Sequence, residues 1–181
     1  HGNKGVVSTI VPVEDMSAPV APDPLDPDKF DTRSIWPAVH PRILELVEAH
    51  TSTIIFANSR RLAERLCSDL NELAGKELAR AHHGSVSREH RLEIEDALKR
   101  GELKAVVATS SLELGIDMGA VDLVIQVEAP PSAASGLQRI GRAGHQVGEV
   151  SRAALFPKHR SDVLHTAVVT ERMLAGQIEA I

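Results

Sequence analysis

The sequence predicts an α/β fold, a mostly parallel sheet with helices on both faces. Three observations predict it. Short apolar runs rich in Val, Ile and Ala alternate along the chain with amphipathic stretches of helical period. Ser, Thr or Asn follows several of the runs, where a crossover helix would need its N-cap. Glycines stand just past several of the amphipathic stretches, where a helix stops.

The elements follow in order. Residues 5–13, "GVVSTIVPV", alternate and are β-branched, the pattern of a strand, with Pro12 at its end or edge. Residues 14–34 hold Pro19, Pro22, Pro24 and Pro27 among Asp, Ser and Ala, the composition of a linker or long surface loop. Residues 1–34 are thus expected to add a strand and a Pro-rich linker to the domain formed by 35–181. Ser34 and Pro37 signal a helix running to His50, with Ile43, Leu44 and Val47 on one face. "STIIF" (52–56) is a strand, and 60–74 a helix with Leu62, Leu66, Leu70 and Leu73 in one stripe. "ELARAH" (77–82) is a weaker strand. Ser87 caps a helix to Lys99 that stops at Gly101. "KAVVAT" (104–109) and "DLVIQV" (122–127) are buried strands, 132–143 a helix, "SRAALF" (151–156) a strand, and 160–175 a last helix before Gly176.

Composition excludes several classes. The chain has 181 residues, enough for one sizeable core, with 43% apolar and 25% charged residues as in ordinary globular proteins. No apolar run approaches the roughly 20 residues of a membrane span, and no secretory leader is visible. A single cysteine excludes a disulfide framework and a cysteine-rich zinc site, so a reducing cytoplasm is expected. Lys and Arg number 20 against 25 Asp and Glu, a net charge of −5, so phosphate recognition has to be local rather than a matter of bulk basicity. Aromatic residues are 2%, too few for a base-stacking platform. The first residue is His rather than Met, and the chain reads as a piece of a longer protein.

In open α/β sheets ligands sit beyond the carboxyl ends of the strands. Ala57-Asn58-Ser59-Arg60 follows one strand, His83-Gly84-Ser85 the next, and Thr109-Ser110-Ser111 a third. Small hydroxyl and amide side chains beside free helix-terminal N–H groups suit a phosphate, and they also serve as plain N-caps. Three such turns on one edge favour an extended polyanion. Two further stretches carry chemistry. In "VVATSSLELGIDMGAVDLVIQ" (106–126), Gly115 and Gly119 permit close backbone approach around Asp117, which can accept from a ribose hydroxyl or simply close a turn. In "SGLQRIGRAGHQVG" (135–148), helical spacing would aim Gln138, Arg139 and Arg142 at one place. Gly141 and Gly144 beside them cost a helix about 1 kcal/mol each relative to Ala. Arginine suits phosphate because its planar fork makes bidentate, always-charged contacts.

Together these stretches resemble the motifs of superfamily-2 helicases. "TIIFANSRR" is similar to motif IV, "HHGSVSREHR" to the segment between IV and V, "ATSSLELGID" to motif V and "QRIGRAGH" to motif VI, in the family's order within 53–145. "VPVEDM", "SIWP", "IIFANSRRLAERL" and "GRAGHQVG" look most like the large helicase-related (Lhr) proteins of prokaryotes. The resemblance implies the second RecA-like domain of a motor using ATP and Mg²⁺, both held mainly by a first RecA-like domain. It implies single-stranded DNA or a DNA/RNA hybrid as partner, further C-terminal domains in the same polypeptide, 3′-to-5′ movement and a role in repair. By resemblance, Gly115 and Asp117 lie near the ATP ribose and Arg142 is an arginine finger, with Gln138 and Arg139 at the adjoining positions. Thr109, Asn58, Ser59 and Arg60 match backbone-facing positions, and Gly84, Ser85 and Ser110 share those turns. Many relatives end motif VI with an Arg where this chain has His145, a side chain only partly charged near pH 7, which weakens any two-finger scheme.

No G-x-x-x-x-G-K-[ST] occurs; Gly75-Lys76 is followed by Glu77. No Asp-Glu pair follows an apolar strand. The phosphate cradle and the metal ligands therefore belong elsewhere, and no metal site is expected in this chain. An RNA helicase of the DEAD-box or Ski2-like group shares motifs V and VI, and an ATP-independent nucleic-acid scaffold is the alternative outside enzymes. Plain structural readings suit the rest. Cys67 is a core thiol, Trp36 packs the first helix onto the sheet, with base stacking as the alternative, and His159 and His165 are surface residues. His82 and His83 lack partners at ligand spacing, and Glu93, Glu95 and Asp96 form a solvated helix face.

Overall fold

Six strands make one sheet, and every neighbouring pair is parallel. In chain order the elements are β1 (Val7–Ile10), α1 (Trp36–Ala49), β2 (Thr53–Phe56), α2 (Arg60–Ala74), β3 (Ala79–His82) and α3 (Arg88–Lys99). Then come β4 (Ala105–Ala108), a 3-10 turn (Ser110–Leu112), β5 (Leu123–Val127), α4 (Ala133–Ile140), β6 (Arg152–Phe156) and α5 (Arg160–Leu174). The computed structural model describes residues 7–10, 35–113, 121–143 and 151–177. The expected Pro-rich linker, Gly115, Asp117 and His145 lie outside the described residues. The spatial order is β1-β6-β5-β2-β4-β3, so β1 belongs to the same sheet as the rest through its pairing with β6.

Alternation along the strands builds two cores. Ile55, Val107, Ile125 and Ala154 face one way, against α1 (Ile43, Val47) and α2 (Leu62, Leu66, Leu70). Ile54, Phe56, Val106, Val124 and Leu155 face the other way, against α3 (Ile94, Leu98), α4 (Ile140) and α5 (Val169, Met173). Both faces of the central strands are covered, which is why β2 and β4 are buried at every position and read as continuous apolar runs. Each fully buried Ile, Leu or Phe stabilises the fold by about 1.5–3 kcal/mol.

Polar side chains set the ends of the elements. Ser59, Ser87 and Ser132 cap α2, α3 and α4 by accepting from the amides of Leu62, His90 and Ser135. Gly75 ends α2 at φ +64°, a conformation that a side chain would strain. Asn71 on α2 accepts from the amides of Leu78 and Ala79 and donates to the Ala79 carbonyl, which holds the start of β3 in place. That anchor explains how a strand with a weak apolar pattern forms.

Several expectations need correction. The first helix begins at Trp36, with Ile35 as its cap and Pro37 in its first turn. Trp36 is half-buried, stacked on His40 at 5.1 Å with the Arg65 guanidinium 5.9 Å from its ring centre, so it ties α1 to α2. Glu95 is no part of a solvated face: it is 2% exposed and meets His82. Helix α4 stops at Ile140, three residues before the expected end. Cys67 is buried as expected. Its Sγ donates to the Ala79 carbonyl at 3.2 Å, and burial pushes the thiol up to about 11, which keeps it protonated and inert.

Candidate nucleic-acid interface

Parallel strands end on one edge, and the turns leaving β2, β3 and β4 meet there. Arg60 Nη1 donates to Ser85 Oγ at 2.6 Å, joining the first turn to the second. The Thr109 amide donates to the His82 carbonyl at 3.2 Å, joining the third turn to the second. Arg60, Gly84, Ser85 and Ser110 are exposed and Thr109 is half-buried, so this row faces outward. A Cβ built on Gly84 would meet nothing within 4 Å, so the fold itself leaves open space above that position. The Ser59 hydroxyl accepts from the Leu62 amide, so its lone pair serves the helix cap.

Beside this row lies a cleft of about 310 Å³ lined by His82, Arg88, Arg91, Leu92, Glu95 and Ser111. Its floor is a buried chain: His82 Nε2 lies 2.9 Å from Glu95 Oε1 and Nδ1 lies 2.8 Å from Ser111 Oγ, which donates to the His82 carbonyl. Burial pushes the His82 imidazole below its ordinary range, against the opposing pull of Glu95. His83 pairs instead with Glu64 and accepts from the Ser85 amide. Among the described residues no group of His, Cys, Asp or Glu could hold a metal ion. Mg²⁺ does not fit the residues described.

Helix α2 leaves β2 on one face of the sheet, while α4 leaves the adjacent β5 on the other. The crevice between two such strands is the topological switch point, where α/β sheets bind ligands. Here Arg139 fills it. This side chain is 2% exposed and lies with its guanidinium 5.2 Å from the Phe56 ring centre. Its Nη1 donates to Asn58 Oδ1 and Gln126 Oε1, each at 2.9 Å, and its Nε donates to Glu113 Oε1 at 2.7 Å. Asn58 Nδ2 donates to the Ala129 carbonyl at 2.7 Å, so both ends of that amide are used inside the protein. Just beyond β5, Glu128 takes φ +65°, an unusual conformation for a side-chain-bearing residue. Lys158 holds its carboxylate, and Gln126 Nε2 donates to its carbonyl.

The motif at 138–142 is arranged differently from the helical expectation. Gln138 is exposed, Arg139 is buried and Arg142 lies past the helix end, so the three do not point at one place. The Arg142 amide bonds back to the Arg139 carbonyl at 3.0 Å, and its Nη2 donates to the Glu113 carbonyl at 2.8 Å. A Cβ on Gly141 would stand 3.0 Å from the Leu137 carbonyl oxygen, a tight contact that favours glycine at the end of α4. Sequence reasoning missed Glu113, Gln126 and Glu95. Gln126 carried a signal, a lone amide in the apolar run "LVIQV"; Glu113 and Glu95 resembled ordinary surface acids.

With this geometry in view, comparison with known proteins decides the family. The model of the helicase conserved C-terminal domain matches residues 39–146. The chain is a helicase C-terminal domain. More narrowly, it belongs to the superfamily-2 helicase C-terminal domains of the Lhr type, with the RecA-like fold. It is 54% identical, over 97% of its length, to the Lhr helicase/probable uracil glycosylase of Mycolicibacterium smegmatis. It is 47% identical, over 99%, to the Lhr helicase/uracil glycosylase of Escherichia coli. The chain spans only 13% and 14% of those two relatives. The solved structure of Mycobacterium smegmatis helicase Lhr bound to ssDNA and AMP-PNP superposes with a TM-score of 0.84 at 61% identity, covering 98% of this chain and 22% of that one. The C-terminal domain of the DEAD-box protein Dbp5 shares the fold alone, at 24% identity and TM-score 0.61. No helix among the described residues of this helicase domain is long and apolar enough to cross a membrane.

Proposed function

We propose that this helicase domain is the C-terminal motor half of an ATP-dependent DNA helicase or translocase that moves on single-stranded DNA and acts in repair. One observation carries the reading: the outward row of Arg60, Ser85, Thr109 and Ser110 and the Arg142 segment are joined by a single short turn, Thr109–Glu113. The Lhr relative's complex with ssDNA and AMP-PNP supports the choice of ligands. ATP would bind in a cleft shared with a first RecA-like domain, which supplies the P-loop and the Mg²⁺-binding carboxylates. Nucleotide binding closes the cleft and hydrolysis reopens it, while the strand-end row holds the DNA backbone. By the motif match, Arg142 would face the γ-phosphate, Gly115 and Asp117 would serve the ribose, and His145 would give weaker charge support. Gln138, exposed on α4, would meet that cleft only from its rim. Arg139, enclosed on all sides, shapes the site from behind.

On this reading residues 1–181 alone do not hydrolyse ATP, and a phosphate-release assay with saturating single-stranded DNA is expected to stay at background. Robust turnover by the 181-residue chain would remove the shared-cleft assignment.

Thr109 closes β4 within the row and is expected to hold a DNA phosphate. In the complete motor, Thr109→Val should lower DNA-stimulated ATPase by roughly the worth of one charge-assisted hydrogen bond, about 1.5–3 kcal/mol. The fold should persist, because Val has nearly the same shape. Phosphate contacts position without reading sequence, so the loss should be equal on oligonucleotides of different sequence. A loss that varied with base identity would contradict the assignment.

A further inference from the structure

Glu113 is the one residue of the turn after β4 that touches both sides of the site. Its amide donates to the Ser110 carbonyl at 3.1 Å, and the Leu112 amide donates to the Thr109 carbonyl, so the turn from the DNA-facing row to Glu113 is a hydrogen-bonded unit. Its Oε1 accepts from Ser135 Oγ at 3.0 Å and Arg139 Nε at 2.7 Å, and lies 2.6 Å from Arg139 Nη2. Its carbonyl accepts from Arg142 Nη2 at 2.8 Å. The carboxylate is 16% exposed, and its partner Arg139 is fixed by Asn58 and Gln126. A displacement of Ser110 therefore has to move the Glu113 backbone, and with it a direct hydrogen-bond partner of Arg142.

We propose that Glu113 is the positioning residue through which DNA bound at Thr109 and Ser110 sets the place of Arg142. This rests on the functional reading above. Glu113 touches neither DNA nor nucleotide; it fixes the distance between the groups that do. Buried charge suits the role, since an ion pair enclosed by hydrogen bonds has few alternative arrangements, and coupling between sites requires elements with discrete states.

The test uses the full-length helicase and measures ATP turnover with and without a single-stranded oligonucleotide. Glu113→Gln keeps the size and the acceptor oxygen but removes the charge. The ratio of DNA-stimulated to unstimulated turnover is expected to fall about tenfold, within the usual range for coupled sites, with KM for ATP shifting less than about twofold. An unchanged ratio, or both rates falling in parallel, would overturn the proposal. Should Glu113→Gln fail to fold, Ser135→Ala removes one bond to the same oxygen. It should lower the ratio by about threefold, and a wild-type ratio there would equally overturn the proposal. A wild-type enzyme without any DNA stimulation would instead reject the functional reading, and the coupling role with it.

Discussion

Arg142→Ala and Arg142→Lys in the complete two-domain motor are both expected to cut ATP turnover by roughly 10²–10³-fold, about 3–4 kcal/mol in the barrier. The transferring phosphoryl group spreads charge over its oxygens, and a guanidinium delivered across a cleft stabilises that charge most in the transition state. Such arginines elsewhere are worth about 10³–10⁵-fold, and the lower figure here allows for partial compensation by neighbouring charge. Lysine should not rescue, because an ammonium lacks the planar fork. Arg142 is half-buried, and the bond from its Nη2 to the Glu113 carbonyl, made by a charged group, contributes about 1.5–3 kcal/mol, so thermal unfolding is to be measured beside turnover. Turnover and nucleotide affinity are to be measured separately. Near-normal turnover, or affinity falling as far as rate, would exclude Arg142 as the finger.

Arg139→Ala is expected to fail in the opposite way, in folding rather than in chemistry. Arg139 is 2% exposed and its charge is compensated by Glu113, while Asn58 and Gln126 accept from it. Removing it leaves Glu113 with an uncompensated carboxylate, strands two amide oxygens and opens a void at the switch point. Breaking a buried pair from one side costs about 3–5 kcal/mol. For a domain of this size that corresponds to a drop in Tm of roughly 6–20 °C. Thermal unfolding of the 181-residue chain, wild type against variant, measures it directly. Arg139→Lys should recover only part of the loss, since one ammonium cannot reach all three partners. A variant melting within about 2 °C of wild type would mean the network does not hold the site together.

The two arginines stand three positions apart in the sequence and share a motif, yet their expected roles differ because one lies inside the helix and the other beyond its end. Spacing alone suggested convergence. Convergence requires the helix to run through 142, and it stops at Ile140. Gly141 keeps a right-handed helical backbone at φ −64°, and Arg142 follows in a turn whose amide bonds to the Arg139 carbonyl. Glu95 teaches the same lesson: in the sequence it is one of three neighbouring acids, and in the structure it alone of the three is buried, where it meets His82.

What the chain by itself determined was the sheet, its helices and the edge that carries the site. Those depend on local signals: β-branched apolar runs, a leucine stripe on α2, serine caps at Ser59, Ser87 and Ser132, and glycines after helices. Each acts within a few residues, so each is written in the order of the amino acids. What only the tertiary structure decided was which polar side chains face one another. Arg139 meets Asn58 across 81 positions and Glu113 across 26, and His82 meets Ser111 across 29. Such pairs form because a parallel sheet brings distant strand ends to one edge, and because a buried charge or amide must find a partner there. No period or spacing in the sequence encodes that partner; the order of strands in the sheet does.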